Sequence, residues 1–585
     1  MKGTPEGPVM RGAQGPGPGL TRRRLLARAG VLAGGLSVAG LLSACGGGSG
    51  STSGGQRSTV HGDGILHLSE NQLLTRNFNP FVARPRTVTT HGMFEPLMIY
   101  NYATKKVVPW LATSFAWSNN NKTLTFKIRS GVQWSDGKPF GPKDVAFTFN
   151  LMKRFPGLLG SASGVWDTYL GSVKATADAV EFAFKDVYTP GVYDLMHQLI
   201  VPQHTWGSVD DPVKFTNPDP VSTGPFSKLT SFETQSMAVS RNPSYWQKGK
   251  PYIKGIRYSS YAGNQQLTQA LITDQLDWGG GYVPNIGKVY VEKNPRDHHF
   301  WWPLTGVVNL IVNHTRAPFD QLAVRQAFAM AMDRNQMVQT ALQGYTKVAN
   351  PTGLAEFMYS DWIDSGVAGS GKTWMSRNVS QANQLLDQAG LKRGSDGIRR
   401  LSNGKPMSYQ ITVPTGWTDW ISDCEVAVGN FKDIGVDVKT FTPAVDAWYT
   451  NVYTGNFDMS VGDPSSSGAT PFNPYRGYMS SFTYRPIGQS AADNWHRYKN
   501  SDADRLLDQW AQTSDVTRQK QLCKQLEKIF VDELPVIPLY FQPEWGAYNS
   551  SRFAGFPNPK NAYAPLSNVA AFPTYYIVLT TVQPK

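Results

Sequence analysis

The stretch GVAGSGKT, residues 366–373, satisfies G-x-x-x-x-G-K-[ST] through Gly366, Gly371, Lys372 and Thr373. In nucleotide hydrolases that pattern cradles phosphates: a buried strand feeds the loop, a helix starts at the lysine, and backbone N–H groups surround the anion. Neither flank fits here. The preceding LAEFMYSDWIDS is no strand pattern. The helical periodicity after the motif begins near Ser380, an expected N-cap, with Ala382, Leu385, Leu386 and Ala389 at helical spacing. With 56 glycines among 585 residues, accidental matches are frequent. The match is read as a coincidence within a glycine-bearing loop.

Other chemistry-bearing patterns are sparse. G-x-S-x-G and H-E-x-x-H do not occur. His298 and His299 are adjacent, so their side chains diverge and do not suggest a metal site. No metal and no cofactor is expected. Cys424 and Cys523 each fall on the apolar side of a helical pattern and read as buried thiols, with a disulfide left open.

The N-terminal region points to export. Arg22, Arg23 and Arg24 precede a short apolar run at 29–42, too short to span a bilayer, which reads as a signal peptide. TRRRLL resembles a twin-arginine signal carried by Arg22 and Arg23, with Leu25 where that motif favours Phe. LSAC, ending at Cys45, resembles a bacterial lipobox, which implies cleavage before Cys45 and lipidation of its thiol. Residues 46–59 read as a flexible tether. A chain held outside the membrane meets little ATP, which argues further against the phosphate loop. The net charge is +13; residues 1–44 hold Lys2, Arg11, Arg22, Arg23, Arg24 and Arg28 against Glu6, leaving +8 beyond them. Those charges are dispersed, without a basic stripe, so nucleic acid is not an expected partner.

The remaining chain suffices for two to four domains. TLTFKI (123–128), AVEFAF (179–184), MAVSRN (237–242) and PVIPLYF (535–541) read as strands. Helices are expected from GPKDVAFTFNLMK, entered through Pro142, from one long run over 320–342, from DWISDCEVAVGNFKD before Gly435, and from DVTRQKQLCKQLEKIFVDEL. Strands and helices alternate without a repeat, giving an α/β class with mixed α+β sheets.

In order along the chain, NFNPF (77–81), FEPLM (94–98), GVQWSDGKPFGPKDVAFTF (131–149), STGPF (222–226), RNPSYW (241–246), APFDQLAVRQAFAMAMDR (317–334) and LPVIPLY (534–540) resemble the peptide/nickel-type (family 5) extracellular solute-binding proteins of ABC importers. The resemblance implies a two-lobed periplasmic-binding-protein type II fold with an extra, cluster C-like domain in the first lobe. Carried onto this chain, domain I is 60–95, 222–305 and 536–585, domain II is 96–221, and domain III is 306–535. It also implies a monomeric, non-enzymatic receptor on the outer face of the cell membrane, which captures solute by hinge closure and delivers it to a permease. Oligopeptide is the first-ranked ligand and a cello- or xylo-type oligosaccharide the second, with nickel or haem more distant. A hydrolase using an unmarked carboxylate pair, or a signalling subunit, are the readings from other classes.

Two groups of candidate ligand-binding residues follow. Asp463, in FDMSVGDPSSSG, resembles the aspartate that pairs with the peptide α-ammonium in peptide-binding relatives, although the Ser-rich loop after it departs from them. Trp278, Trp301, Trp302, Trp417 and Trp420 stand beside turn residues, where an indole can offer a flat face to a ligand; NFNPF and GWTDW look more like the oligosaccharide-binding branch.

Overall fold

The computed structural model describes residues 63–585 apart from 83, 86, 164, 466 and 569–572. Cys45, Arg22, Arg23, the leader and the tether lie outside the described residues.

Local sequence rules account for much of the secondary structure. Thr123–Ile128 is a strand whose Leu124, Phe126 and Ile128 point inward, as period-two alternation demands. Helix Pro142–Arg154 starts with Pro142 at its first turn, and Asp144 accepts a bond from Gly141 N at 3.1 Å. Its Phe149 packs edge-on against Phe182 at 4.7 Å. Helix Thr418–Asp433, Gly435 in the left-handed region (φ +76°) and strand Asp437–Phe441 follow one another as the sequence predicts. Cys424 and Cys523 are buried, free thiols.

Two expectations need correction. The run 320–342 is not one helix. Leu322–Ala331 ends at Met332 in extended geometry, and Asp333 caps a new turn by accepting from Gln336 N at 2.9 Å. Buried Arg334 makes the break affordable, donating to the carbonyls of Ala329, Met375 and Pro538 at 2.8–2.9 Å. The later helix is Val379–Gln388, and its N-cap is Asn378, which accepts from Gln381 N, rather than Ser380.

The strands form three principal sheets. A seven-stranded sheet runs in the order His298–Phe300, Ala547–Asn549, Trp278–Gly279, Ile65–Glu70, Gly255–Ser260, Ser236–Arg241, Phe226–Phe232. An antiparallel four-stranded sheet, built from Ala112–Ser118, Thr123–Ile128, Ala179–Phe184 and Leu170–Ala175, lies within residues 96–221. A five-stranded sheet runs Asp437–Phe441, Ser408–Thr412, Met459–Gly462, Leu304–Val312, Ile537–Pro543. Ile537–Pro543 pairs antiparallel with Leu304–Val312, so the return to the seven-stranded sheet comes after Pro543 rather than at 536.

Among the described residues, two adjacent segments join the seven- and five-stranded sheets directly. Strand His298–Phe300 continues through Trp301, Trp302 and Pro303 into Leu304–Val312, and Ile537–Pro543 returns through Glu544, Trp545 and Gly546 to Ala547–Asn549. They are tied by Glu544 N to Pro303 O (2.8 Å) and Trp301 N to Gly546 O (3.0 Å), and Trp302 meets Trp545 edge-on at 4.7 Å. Paired crossing segments of this kind can bend together while each sheet stays intact, the geometry of a hinge. No helix among the described residues is long and apolar enough to cross a membrane.

Candidate functional site

The phosphate-loop residues are disposed of first. Ser365–Ser370 and Lys372–Met375 are short helices rather than the expected loop, so a helical turn does begin at the lysine, but the element before them is the helix Glu356–Tyr359, not a strand. The N–H groups of Gly366 and Val367 both donate to Asp364 Oδ1 at 3.0 Å, so helix Ser365–Ser370 is capped by a protein carboxylate. His298 is likewise committed: Nδ1 lies 2.9 Å from Tyr290 O and Nε2 2.8 Å from Asp274 Oδ1.

The concave feature is a cavity of about 1150 Å³ between the two lobes. The first lobe supplies Glu70, Tyr102, Tyr193, Asp194, Asn264 and Tyr282; the second supplies Trp417, Asp419, Trp420, Asp463 and Arg476; the hinge supplies Glu544 and Trp545, and the strand ends adjoining it supply Thr305, Gly306 and Gln542. The lobes are closed on each other around it. Asn264, at the start of helix Asn264–Ile272, reaches across with its backbone N to Gly416 O (3.0 Å) and with Nδ2 to Asp419 Oδ1 (3.0 Å) and Thr418 Oγ1 (3.1 Å). Thr189 bonds Ala511 O through its N–H (2.8 Å) and Thr513 O through its hydroxyl (3.0 Å). Arg84 lies 3.7 Å from the centre of the Tyr449 ring and pairs with Asp446 at 3.0 Å.

The most charged crossing is Arg476, on helix Phe472–Met479, which donates to Tyr188 Oη at 2.7 Å; Tyr188 in turn donates to Asp194 Oδ2 at 3.1 Å. Burial works against the Arg476 charge, yet Tyr188, Asp194 and Asp493 together hold its pKa above the ordinary value. Burial raises Asp194 while Arg476 opposes the rise. His197 is pushed down to about 4 by burial, so it is neutral, and its Nε2 accepts from Tyr100 N at 3.1 Å.

Asp463 follows Gly462, the last residue of strand Met459–Gly462, and faces the cavity. Its Oδ1 accepts from Ser465 N (3.1 Å), Ser465 Oγ (2.9 Å) and Tyr478 Oη (3.2 Å). Burial pushes it up to about 7 against those bonds. Ser465, in the loop following Asp463, and Tyr478, on helix Phe472–Met479, thus hold the carboxylate in place. Trp417 and Trp420 also line the cavity, their rings 5.0 Å apart. The other three tryptophans do not. Trp278 is fully buried, donates to Leu566 O and stacks on Tyr575 at 5.0 Å. Trp301 and Trp302 sit in the hinge, Trp302 packed among Phe300, Tyr345 and Trp545. A turn residue next to a tryptophan therefore marks a bend, not which way the indole faces.

Sequence reasoning did not single out Asp419, Arg476, Asn264, Glu544 or Tyr282. Asp419 lies inside the quoted GWTDW and could have been noticed; a lone arginine or asparagine carries no local signal of reaching across a cleft.

Two lobes closed over a polar, aromatic-lined cavity, with a paired-strand hinge, make the class of protein plain: a binding protein of the periplasmic type II fold. Comparisons place it further. Residues 106–485 match the family described as "Bacterial extracellular solute-binding proteins, family 5 Middle", and the chain belongs to that family. It is 26% identical over 483 residues to the nickel-binding periplasmic protein of Escherichia coli (strain K12), covering 79% of this chain and 86% of that one. It is 25% identical over 539 residues to the oligopeptide-binding protein OppA of Bacillus subtilis (strain 168), covering 86% and 92%. Among solved structures, a mannohexaose-bound periplasmic oligopeptide-binding protein from Thermotoga maritima superposes with a TM-score of 0.81 at 24% identity, over 90% of this chain and 100% of that chain. AppA from Bacillus subtilis, in complex with a nonapeptide, gives 0.74 at 21%, over 89% and 99%.

Proposed function

We propose that this protein is the solute-capturing subunit of an ABC importer and that its cargo is an oligopeptide. The observation that carries the reading is the interlobe cavity of about 1150 Å³. It exceeds the roughly 300–1,000 Å³ typical of sites for single small molecules, so it suits an oligomer. Capture follows from the geometry: solute enters between the lobes, the hinge at 300–304 and 543–547 bends, and the cross-lobe bonds of Asn264, Thr189 and Arg476 form around it. Asp463 is the proposed anchor of the peptide α-ammonium. A buried carboxylate poised near neutrality gains its charge when a cation arrives, which ties recognition to the charged end of the peptide. The closed form then docks on permease subunits as a monomer.

The three-domain division is proposed with it, domain I returning after Pro543. Export through the Arg22–Arg23 signal and lipidation at Cys45 are proposed to hold the protein at the outer face of the cell membrane; Cys45→Ala should move it from the membrane fraction to the soluble one. A second reading, an oligosaccharide cargo, is favoured by one feature: Trp417, Trp420 and Trp545 line the cavity together with several tyrosines, a surface on which sugar faces could stack.

Calorimetric titration of residues 60–585 with a tri- to hexapeptide pool and, separately, a cello- and xylo-oligosaccharide pool tests both. Heat with peptides, lost on blocking their α-amines or in Asp463→Asn, is the expected result. Heat with sugars alone would transfer the site to the tryptophans and end the peptide reading.

A further inference from the structure

The described residues lining the cavity include six carboxylates, Glu70, Asp194, Asp419, Asp463, Asp493 and Glu544, against two arginines. Both arginines are already engaged. Arg476 serves the Tyr188–Asp194 crossing, and Arg485 donates to the carbonyls of Phe482 and Tyr484 at 2.9 and 2.8 Å. Three of the acids stand on three different elements: Asp419 in the first turn of helix Thr418–Asp433, Asp463 after strand Met459–Gly462, and Glu544 in the returning hinge segment.

What surrounds those three is neutral or acidic. Asp419 is held by Asn264 Nδ2 and by backbone N–H groups, Asp463 by Ser465 and Tyr478 with Asp493 nearby, and Glu544 by Thr305. Among the described residues, the groups that act most strongly on these three acids include no lysine, arginine or histidine. A buried carboxylate without a cation is costly, and folded proteins ordinarily supply the partner themselves. Here aromatic faces stand beside the acids instead. Trp417 and Trp420 flank Asp419, Trp545 follows Glu544, and Tyr282 lies 5.2 Å from Trp545. Carboxylates together with aromatic rings along one cavity wall attract ammonium and guanidinium groups, while anionic cargo would face acids rather than cations there.

We propose that the cleft selects polycationic oligomers, in the first instance oligopeptides with lysine or arginine side chains, and that Asp419 and Glu544 receive side-chain cations while Asp463 takes the terminal one. The selection rests on the oligopeptide reading for the identity of the backbone but on the cavity wall alone for its charge.

The test is a matched series titrated into residues 60–585: Ala-Lys-Ala-Lys-Ala, the same peptide with norleucine for lysine, and the same with glutamate. Alongside them run a glucosamine hexamer and its N-acetylated form. The lysine peptide should bind at least about tenfold tighter than the norleucine peptide, since one charge-assisted hydrogen bond contributes about that factor, and the glutamate peptide weakest of all. Asp419→Asn and Glu544→Gln, each checked by thermal melting to be folded, should each draw the lysine-to-norleucine ratio towards one. Equal or tighter binding of the norleucine or glutamate peptide overturns the charge selection and leaves the oligopeptide reading standing. Binding of no peptide, with the glucosamine hexamer preferred over its acetylated form, overturns the oligopeptide reading and upholds the charge selection. An acetylated hexamer bound as well as or better than the free amine, or no binding by any of the five, overturns both.

Discussion

Gly263 and Gly416 meet across the cleft, and adding one carbon there should keep the lobes from closing. Gly263 sits before helix Asn264–Ile272 with φ −173° and ψ 174°, extended backbone open to any residue. A Cβ on it would lie 2.9 Å from both Cα and O of Gly416 and 3.2 Å from its carbonyl carbon. Those atoms are backbone and cannot rotate aside, so the lobes must part locally. Three bonds suffer: Asn264 N to Gly416 O, and Asn264 Nδ2 to Asp419 and to Thr418. Two neutral hydrogen bonds and one to a carboxylate contribute about 3–6 kcal/mol net, and weakening them without losing them should cost roughly 2 kcal/mol of closure. Apparent affinity scales with the closed fraction, so Kd should rise about 30-fold. Gly263→Ser is the variant of choice: serine is a good helix cap, so the helix itself is not weakened. The unliganded melting temperature should hold while calorimetric Kd rises and small-angle scattering retains an open envelope with ligand. Gly429→Ala, with nothing within 4 Å of the added carbon, is the control. Binding by Gly263→Ser within twofold of the unmodified chain, with normal compaction, would refute the claim that this contact limits closure.

Arg476→Met should weaken binding more than Tyr188→Phe, about 100-fold against tenfold, because it leaves Asp194 enclosed without its cation. Asp194 can answer by taking up a proton, so the Met variant's defect should shrink as pH falls, and a defect that is flat with pH would count against the pairing. Glu527 is fully buried and pushed up to about 8 by burial, against the Asp364 N–H it accepts. A carboxylate raised on folding stabilises fully below its unfolded pKa, near 4.5, and that contribution is lost as pH rises through about 8. Denaturant melts of Glu527→Gln should therefore show a flatter fall between those limits and, at pH 8, a gain of a few kcal/mol; an unchanged profile would place the titration elsewhere. Trp278→Ala should cost about 3–5 kcal/mol of stability as a core truncation, whereas Trp420→Ala should act on Kd. An intact melt with lost binding in Trp278→Ala would return it to the ligand wall.

Periodicity and turn chemistry act over a few residues, and the elements they govern were readable from the chain. Thr123–Ile128, Pro142–Arg154, Thr418–Asp433 and Val516–Glu533 lie where apolar spacing, a first-turn proline or a left-handed glycine put them. The order of short motifs pointed to the family, and the strand that a phosphate loop needs before GVAGSGKT is absent among the described residues, where helix Glu356–Tyr359 precedes it. The break at Met332 escaped the reading because its cause is a buried arginine gathering carbonyls from three separate segments. The site divides in the same way. Asp463 and the Trp417–Trp420 pair were found from residue type and neighbours, and the structure brings them to one cavity. Trp278, Trp301 and Trp302 had equivalent neighbours and face the core or the hinge, because the direction of a side chain depends on which sheet its strand joins. The Gly263–Gly416 contact, the Arg476 crossing and the meeting of Asp419 and Glu544 on one cavity wall depend on segments more than a hundred residues apart along the chain. Sequence by itself determined the elements and the family; only closure of the two lobes decided which residues face the solute, since that is set by long-range packing and not by local preference.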